Sequence, residues 1–183
     1  MATQTLAKTK WNLDPTHSEI GFKVKHMMIT NVSGSFGKFD VKVDTEESDF
    51  TSADITLTAE LNSISTGNSD RDNHLKSGDF FDVAQYPELK FVSSKMEQKD
   101  DAHFVLHGNL TIKEVTKPVK LDVELGGIGK DPWGNEKAGF TISGKINRTD
   151  YSLTWNAALE TGGVLVSEEV KLHAEVQLVK QVL

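Results

Sequence analysis

The sequence predicts an all-β protein, an antiparallel eight-stranded up-and-down barrel with a short helical insertion near residues 69–77. Apolar and polar residues alternate along nearly every structured stretch. Residues 170–178 show this best, with Val170, Leu172 and Val176 on one face and Lys171 and Glu175 on the other. This period of two indicates strands with one buried face. Closure into a barrel would remove the exposed edges of such long strands, and a two-sheet sandwich is the competing architecture.

The individual strands follow from the alternation in chain order. The first carries Ile20, Phe22, Val24 and His26 on its apolar face. The pattern returns over residues 39–43, 53–61, 89–91, 104–112, 119–125 and 140–146, near 153–157, and over 170–178. Between residues 65 and 86, polar residues crowd around a helix-like stretch, which Asn68 or Ser69 is suited to cap.

Length and composition narrow the classes of function. A chain of 183 residues fits one domain, which we place at residues 11–183 after a flexible segment over residues 1–10. The chain has no cysteine, and its net charge of −7 argues against nucleic acid as a partner. No run approaches the roughly 20 apolar residues of a transmembrane segment. Because the start lacks the apolar core of a signal peptide, we expect a cytoplasmic protein.

Few residues suggest catalysis or metal binding. Asp14, His17 and Ser18 are the residue types of a hydrolytic triad, but one short turn does not generally provide the geometry. His17, His26 and His74 lack the spacing of metal ligands. We therefore expect no catalytic residue, no metal site and no cofactor. On its apolar face, His26 fits either a neutral, hydrogen-bonded core histidine or a polar contact to a ligand.

Arginine is rare in this chain, which makes each position informative. Arg71 and Arg148 are the two arginines, and Asp72 and Asp150 stand close by in the sequence. The guanidinium group can bind a carboxylate or a phosphate through two parallel hydrogen bonds, whereas lysine cannot. A structural pair with the neighbouring aspartate and a contact to a ligand head group are both consistent with these positions.

Two features bear on whether the barrel is hollow. Small residues on the apolar faces, such as Gly108, Gly144 and Ala174, either leave a bore or fit a tapered core. Phe80 and Phe81, which follow the polar helix, either gate the barrel mouth or simply close the core. An eight-stranded barrel admits both a filled interior and one slender ligand.

Short motifs spread along the chain occur in a fixed order. They include Trp11-x-x-Asp14-x-x-His17-Ser18, Phe22-x-x-x-His26, Arg71-Asp72-x-His74-Leu75, Asp79-Phe80-Phe81-Asp82, Thr116-x-Pro118-Val119 and Arg148-x-Asp150-Tyr151. Together they resemble the YceI-like family. The resemblance implies an extended, lipocalin-like barrel whose apolar tunnel binds an isoprenoid or a comparable long-chain lipid, often in a homodimer. Many members of that family are periplasmic.

The expected function is therefore non-enzymatic carriage or sequestration of an amphiphilic lipid. The ligand would be an isoprenoid, such as an isoprenoid quinone or a polyprenyl phosphate, or a fatty-acid-like lipid. The predicted tunnel wall comprises Phe22, Val24, Ile55, Leu57, Phe91, Leu106, Leu121, Phe140, Ile142, Leu172 and Val176. His26, Arg71 and His74 are the polar candidates near a head group, with Phe80 and Phe81 beside them. The alternatives are an enzyme or stress-related protein acting on a lipid-like substrate, and a filled barrel that serves as an interaction protein.

Overall fold

The computed structural model describes residues 8–157, 159 and 165–181, most of them in strands. The strands are β1 (Lys8–Leu13), β2 (Glu19–His26), β3 (Thr30–Phe36), β4 (Phe39–Glu46), β5 (Asp49–Glu60), β6 (Ile64–Ser65), β7 (Glu88–Gln98), β8 (His103–Ile112), β9 (Val115–Lys130), β10 (Glu136–Asn147) and β11 (Val166–Lys180). Short 3-10 turns occupy Pro15–His17, Leu61–Ser63 and Arg148–Tyr151. The α-helix α1 (Ser69–Lys76) follows β6. No helix within the described ranges has the length and apolar character needed to cross a membrane.

The strands close into an eight-stranded antiparallel barrel, which confirms the predicted fold class. β1 pairs with both β4 and β11, so the order β4-β5-β7-β8-β9-β10-β11 returns to its start through β1. Towards the other end, β2 pairs with the first half of β11, and β3 joins β2 to β6. Because β1 and β2, β3 and β4, and β5 and β6 are consecutive along the chain, each couple forms one interrupted strand of the wall.

The helix and the ends of the chain can be compared with their predictions. α1 occupies the predicted insertion, and the Asn68 side chain caps it by accepting a hydrogen bond from the Arg71 backbone N–H at 3.0 Å. Residues 8–10 belong to β1, and the rest of the segment that we predicted as flexible, residues 1–7, lies outside the described residues. The prediction of a strand near residues 153–157 was wrong, since this stretch is irregular.

Asp14 links the break between β1 and β2 to the neighbouring strands β11 and β10. Its carboxylate accepts hydrogen bonds from the Thr16 backbone N–H at 3.1 Å and the Thr16 hydroxyl at 2.7 Å. It also contacts His17 Nδ1 at 2.9 Å, Gln177 Nε2 at 3.1 Å on β11 and Lys137 Nζ at 3.4 Å on β10. The Thr16 hydroxyl, followed by the His17 ring, holds the pKa of this carboxyl well below its usual range despite its burial.

The same geometry separates these residues from a hydrolytic triad. The Ser18 hydroxyl accepts a hydrogen bond from the Gln177 backbone N–H at 2.9 Å. His17 Nδ1 faces Asp14 and the Thr16 hydroxyl rather than Ser18. The cluster therefore joins the first wall strand to β10 and β11.

Replacing Asp14 with Asn is expected to lower the free energy of unfolding at pH 7 by about 1–3 kcal/mol, because hydrogen bonds to a charged acceptor are lost. The folded carboxyl has a lower pKa than the unfolded one, so its contribution is present above about pH 4 and is lost as the pH falls further. Urea denaturation from pH 7 to pH 3 should therefore show the difference between wild type and variant shrinking.

Asp54 provides the matched control for Asp14. It forms an ion pair with Lys8 at 3.1 Å, and the two side chains are 71% and 58% exposed. Because exposed pairs contribute little, Asp54→Asn should change the free energy of unfolding by less than about 1 kcal/mol. A pH-independent effect of Asp14→Asn would contradict the role assigned to its charge.

Candidate functional site

The barrel encloses an apolar cavity, here called the bore, with a volume of about 210 Å³. Inward-facing side chains from strands all around the barrel line it. Ten of the predicted wall residues are among them: Phe22, Ile55, Leu57, Phe91, Leu106, Leu121, Phe140, Ile142, Leu172 and Val176. Apolar cavities of about 150 Å³ stay dry and admit a benzene-sized guest. An apolar guest in this bore would therefore displace little ordered water.

Three inward glycines let large side chains lie flat against the wall. A Cβ atom added to Gly108 would lie 2.4 Å from Phe91 Cζ, and one added to Gly34 would lie 2.4 Å from Phe22 Cζ. At Gly144 the equivalent contact, with Leu121 Cδ2, is 2.5 Å. The glycines therefore hold side-chain bulk within the wall and leave the barrel axis open. Of the two readings of the small residues, the structure supports the bore.

A second apolar cavity of about 210 Å³, here called the mouth cavity, adjoins the bore. It contains all three polar candidates, His26, Arg71 and His74, together with Val24 and Phe80. The two cavities share the lining residues Phe22, Phe81, Arg148, Leu153 and Val170, so they follow one another inside the barrel. The structure thus brings the predicted polar group and the predicted wall together in one connected site.

Aromatic rings form a neck between the two cavities. Phe22 and Phe81 line both cavities, and Phe36 lies between them with ring-centroid distances of 5.9 Å to Phe22 and 6.4 Å to Phe81. Edge-on and tilted contacts of this kind are favourable at these distances. Phe81 therefore occupies a position that fits the gating reading, whereas Phe80 is 6% exposed and lines only the mouth cavity.

His74 is held among aromatic rings in the mouth cavity. Its ring meets Phe80 edge-on at 5.1 Å and Trp155 edge-on at 4.7 Å. Its Nε2 lies 2.9 Å from the Asp79 carboxylate, which fixes the ring from the solvent side. The mouth cavity therefore presents ring surfaces and few free polar atoms. His26 also lines it, and its ring has no hydrogen-bond partner among the described residues.

One of the two readings of the arginines, a structural pair with the neighbouring aspartate, was wrong. Arg71 donates from Nε to the Thr66 hydroxyl and from Nη2 to the Thr66 carbonyl, both at 2.7 Å. Asp72 accepts from the same hydroxyl at 2.6 Å and from the Thr66 backbone N–H at 2.8 Å. Both side chains therefore anchor the loop before α1, because α1 directs them to the chain that precedes it.

Arg148 is a buried cation bonded to backbone carbonyls. It is 4% exposed, and it donates from Nη1 to the carbonyls of Leu153 at 2.6 Å and Trp155 at 2.9 Å. Nε reaches the Ser167 carbonyl at 2.8 Å, and Nη2 reaches that of Val166 at 3.2 Å. Burial lowers the pKa of this guanidinium, while Glu168 opposes the shift. These bonds take up the carbonyls of residues 153 and 155, which lie in the irregular stretch that was predicted as a strand.

Sequence reasoning missed several residues of the mouth cavity. Arg148 was noticed as an arginine but was not placed in the site, and Trp155 was assigned to a strand-like stretch. Gly34, which accommodates the Phe22 ring, was not recognised as inward-facing. The sequence carries no direct signal for these residues, because the burial of Arg148 and its bond to the Trp155 carbonyl appear only in the folded chain.

Comparison with known proteins agrees with this architecture. The profile of the YceI-like domain matches residues 11–178. The chain belongs to the YceI-like family. A UPF0312 protein of Staphylococcus epidermidis is 42% identical over 170 residues, which cover 92% of this chain and 96% of that protein. The solved Campylobacter jejuni YceI protein is 33% identical, with a TM-score of 0.74 and full coverage of both chains.

A more distant solved structure of similar fold is a polyisoprenoid-binding domain from Saccharophagus degradans. It is 15% identical, with a TM-score of 0.60 over 97% of this chain and 100% of that one. At this identity the likeness shows the fold alone. The family resemblance seen in the motifs is thus confirmed over almost the whole described chain.

Proposed function

We propose that this protein binds a long-chain isoprenoid, with the chain in the bore and the head group in the mouth cavity. The observation that carries the proposal is the continuity of two apolar cavities through an aromatic neck. Each buried methylene contributes about 0.8 kcal/mol, so a chain of ten carbons supplies enough for micromolar affinity after association costs. The name of the Saccharophagus degradans domain, which binds polyisoprenoids, supports this ligand class.

The mouth cavity favours an uncharged ring as head group over a phosphate or carboxylate. Arg148 gives four of its five N–H donors to backbone carbonyls, and Arg71 gives two of its five to Thr66, so a phosphate would find its donors mainly on the exposed Arg71 rather than inside the cavity. A flat ring would instead pack against the rings of Phe80 and Trp155, whose centroids lie 5.5 Å apart. The imidazole of His26, which has no hydrogen-bond partner among the described residues, would donate to a ring carbonyl. We therefore infer an isoprenoid quinone rather than a polyprenyl phosphate or a fatty acid.

A binding role rather than catalysis is also the role that family membership supports. The described residues hold no group of three histidine, aspartate or glutamate side chains suited to a metal ion. The three histidines that were considered and rejected as metal ligands are separated, with His26 and His74 in the mouth cavity and His17 at the junction of β1 and β2.

Native mass spectrometry of the full chain, purified without detergent, tests this function. We expect a complex with an isoprenoid quinone, either retained from the host or formed on incubation with a long-chain ubiquinone. A polyprenyl phosphate of equal chain length should bind at least about tenfold more weakly, which corresponds to about 1.4 kcal/mol. Failure to bind any isoprenoid would refute the function. Tighter binding of the phosphate would leave the bore intact but refute the quinone.

A further inference from the structure

The hairpin between β2 and β3 ends in an exposed apolar tip, residues 27–29. Met27, Met28 and Ile29 are 41%, 55% and 75% exposed, and they are half of the six large apolar side chains exposed in the described part of the chain. The next two residues, Thr30 and Asn31, are uncharged. Placing the tip in an apolar environment would therefore bury no charge.

The backbone of the tip makes this composition unusual. Met27 and Met28 have φ angles of +53° and +61°, and the Ile29 N–H donates to the His26 carbonyl at 3.1 Å. Two central residues with positive φ define a type I′ turn, for which Asn-Gly is strongly preferred. This hairpin keeps two long apolar side chains at positions that disfavour them. Such backbone strain occurs preferentially where a segment has a function.

The tip adjoins the mouth cavity. The Met27 N–H donates to the Leu165 carbonyl at 2.8 Å, and Leu165 lines that cavity. His26, directly before the tip, lines it as well. A surface that received the tip would therefore lie next to the opening through which a lipid reaches the bore.

Lysines on the outward face of the barrel lie on β2, which leads to the tip, and on the two strands beyond it, β11 and β10. Lys25 is two residues from Met27, and Lys23 lies opposite Lys171 on β11, which in turn lies opposite Lys145 on β10. Like charges in register are unfavourable for a sheet. This row is notable in a chain with a net charge of −7, and it suits the phosphates of a lipid surface. Glu168 and Glu169 on β11 share this end of the barrel, so the apolar tip supplies most of the attraction.

We propose that the β2–β3 tip inserts into the surface of a phospholipid bilayer and holds the mouth cavity against it. Amphipathic elements bind membranes in proportion to the apolar area that they bury, with a further contribution from basic residues. Docking of this kind would let a water-insoluble lipid pass between bilayer and barrel without crossing water. It concerns the membrane rather than the cargo, so it is tested separately from the proposed function.

Co-sedimentation with vesicles tests the docking. The full chain is mixed with phosphatidylcholine vesicles, with or without phosphatidylglycerol, and the bound fraction is measured. We expect binding to both, stronger with phosphatidylglycerol and weaker in high salt. The double variant Met27→Asn, Met28→Gly should bind at least about tenfold more weakly, because the apolar area is removed. Its thermal unfolding midpoint should rise, since Asn-Gly suits the turn.

Trp133→Ala is the matched control. Trp133 is 82% exposed in the loop between β9 and β10, at the opposite end of the barrel, so its removal should leave vesicle binding unchanged. Wild type that fails to sediment with either vesicle, or a double variant that binds like wild type, would overturn the proposal. Sedimentation equilibrium would show a third outcome: a wild-type dimer that the double variant makes monomeric, without vesicle binding, would overturn it by assigning the tip to a second copy of the chain.

Discussion

Replacing Arg148 with Met is expected to lower the free energy of unfolding by about 3–5 kcal/mol, which is a large fraction of the stability of a typical domain. Methionine retains much of the side-chain length but donates no hydrogen bond. The carbonyls of Leu153, Trp155 and Ser167 would lose their bonds from the guanidinium, whereas that of Val166 keeps a bond from Asn156 at 2.7 Å. Urea denaturation followed by tryptophan fluorescence and circular dichroism measures the change.

Arg71→Met is the matched control, since it removes the other arginine. Arg71 is exposed, and its two hydrogen bonds go to a single residue, Thr66. We expect a loss below about 1 kcal/mol, as for other exposed polar side chains. Equal losses for the two variants would show that the buried carbonyl contacts do not determine the stability. Arg148→Lys should fall between them, because one ammonium group cannot reach four divergent carbonyls.

Filling the bore is the second change with a large expected effect. Ala174 lines the bore beside Ile142, its register partner on β10. Ala174→Trp would therefore place an indole inside a cavity of about 210 Å³. We expect the affinity for a long-chain isoprenoid quinone to fall at least about 100-fold, which corresponds to about 2.7 kcal/mol, or the burial of three to four methylenes. Titration of protein freed of lipid, followed by tryptophan fluorescence quenching, measures this loss.

Ser143→Trp separates blockage of the bore from general damage. Ser143 is adjacent to Ile142 on β10, but it is exposed on the outward face. An indole there should leave the quinone affinity within about twofold of wild type, since solvent-facing substitutions have small effects. Overpacking by Ala174→Trp should cost no more than about 1–3 kcal/mol of stability, so the folded variant remains measurable. Unchanged affinity in folded Ala174→Trp would place the ligand outside the bore.

The alternating pattern predicted the wall well because side-chain direction in a strand depends only on local backbone geometry. Phe91, Leu121 and Val176 therefore face the bore as expected. The sequence did not predict that the wall strands are interrupted near Asp14 and Gly37. Each interruption depends on a contact that is distant in the sequence, with β11 for Asp14 and with Ser63 for Gly37.

The arginines show where local reasoning failed. Proximity in sequence suggested carboxylate partners, but the folded chain brings Arg148 to carbonyls of residues up to 19 positions away. Position in sequence cannot indicate that a bend of the chain will gather carbonyls around one cation. The head-group candidates His26 and His74 could be predicted as mouth residues, whereas the ring of Trp155 that contacts His74 could not.

The aromatic neck affects how long a ligand stays bound in the bore. Because Phe22, Phe36 and Phe81 lie where the bore meets the mouth cavity, a long molecule that leaves the bore through the mouth cavity passes lengthwise along these rings. Each methylene withdrawn from the bore forfeits about 0.8 kcal/mol, which slows escape about fourfold. Residence time would then grow exponentially with the length of chain beyond the neck. We therefore expect long chains to dissociate from the barrel much more slowly than short ones.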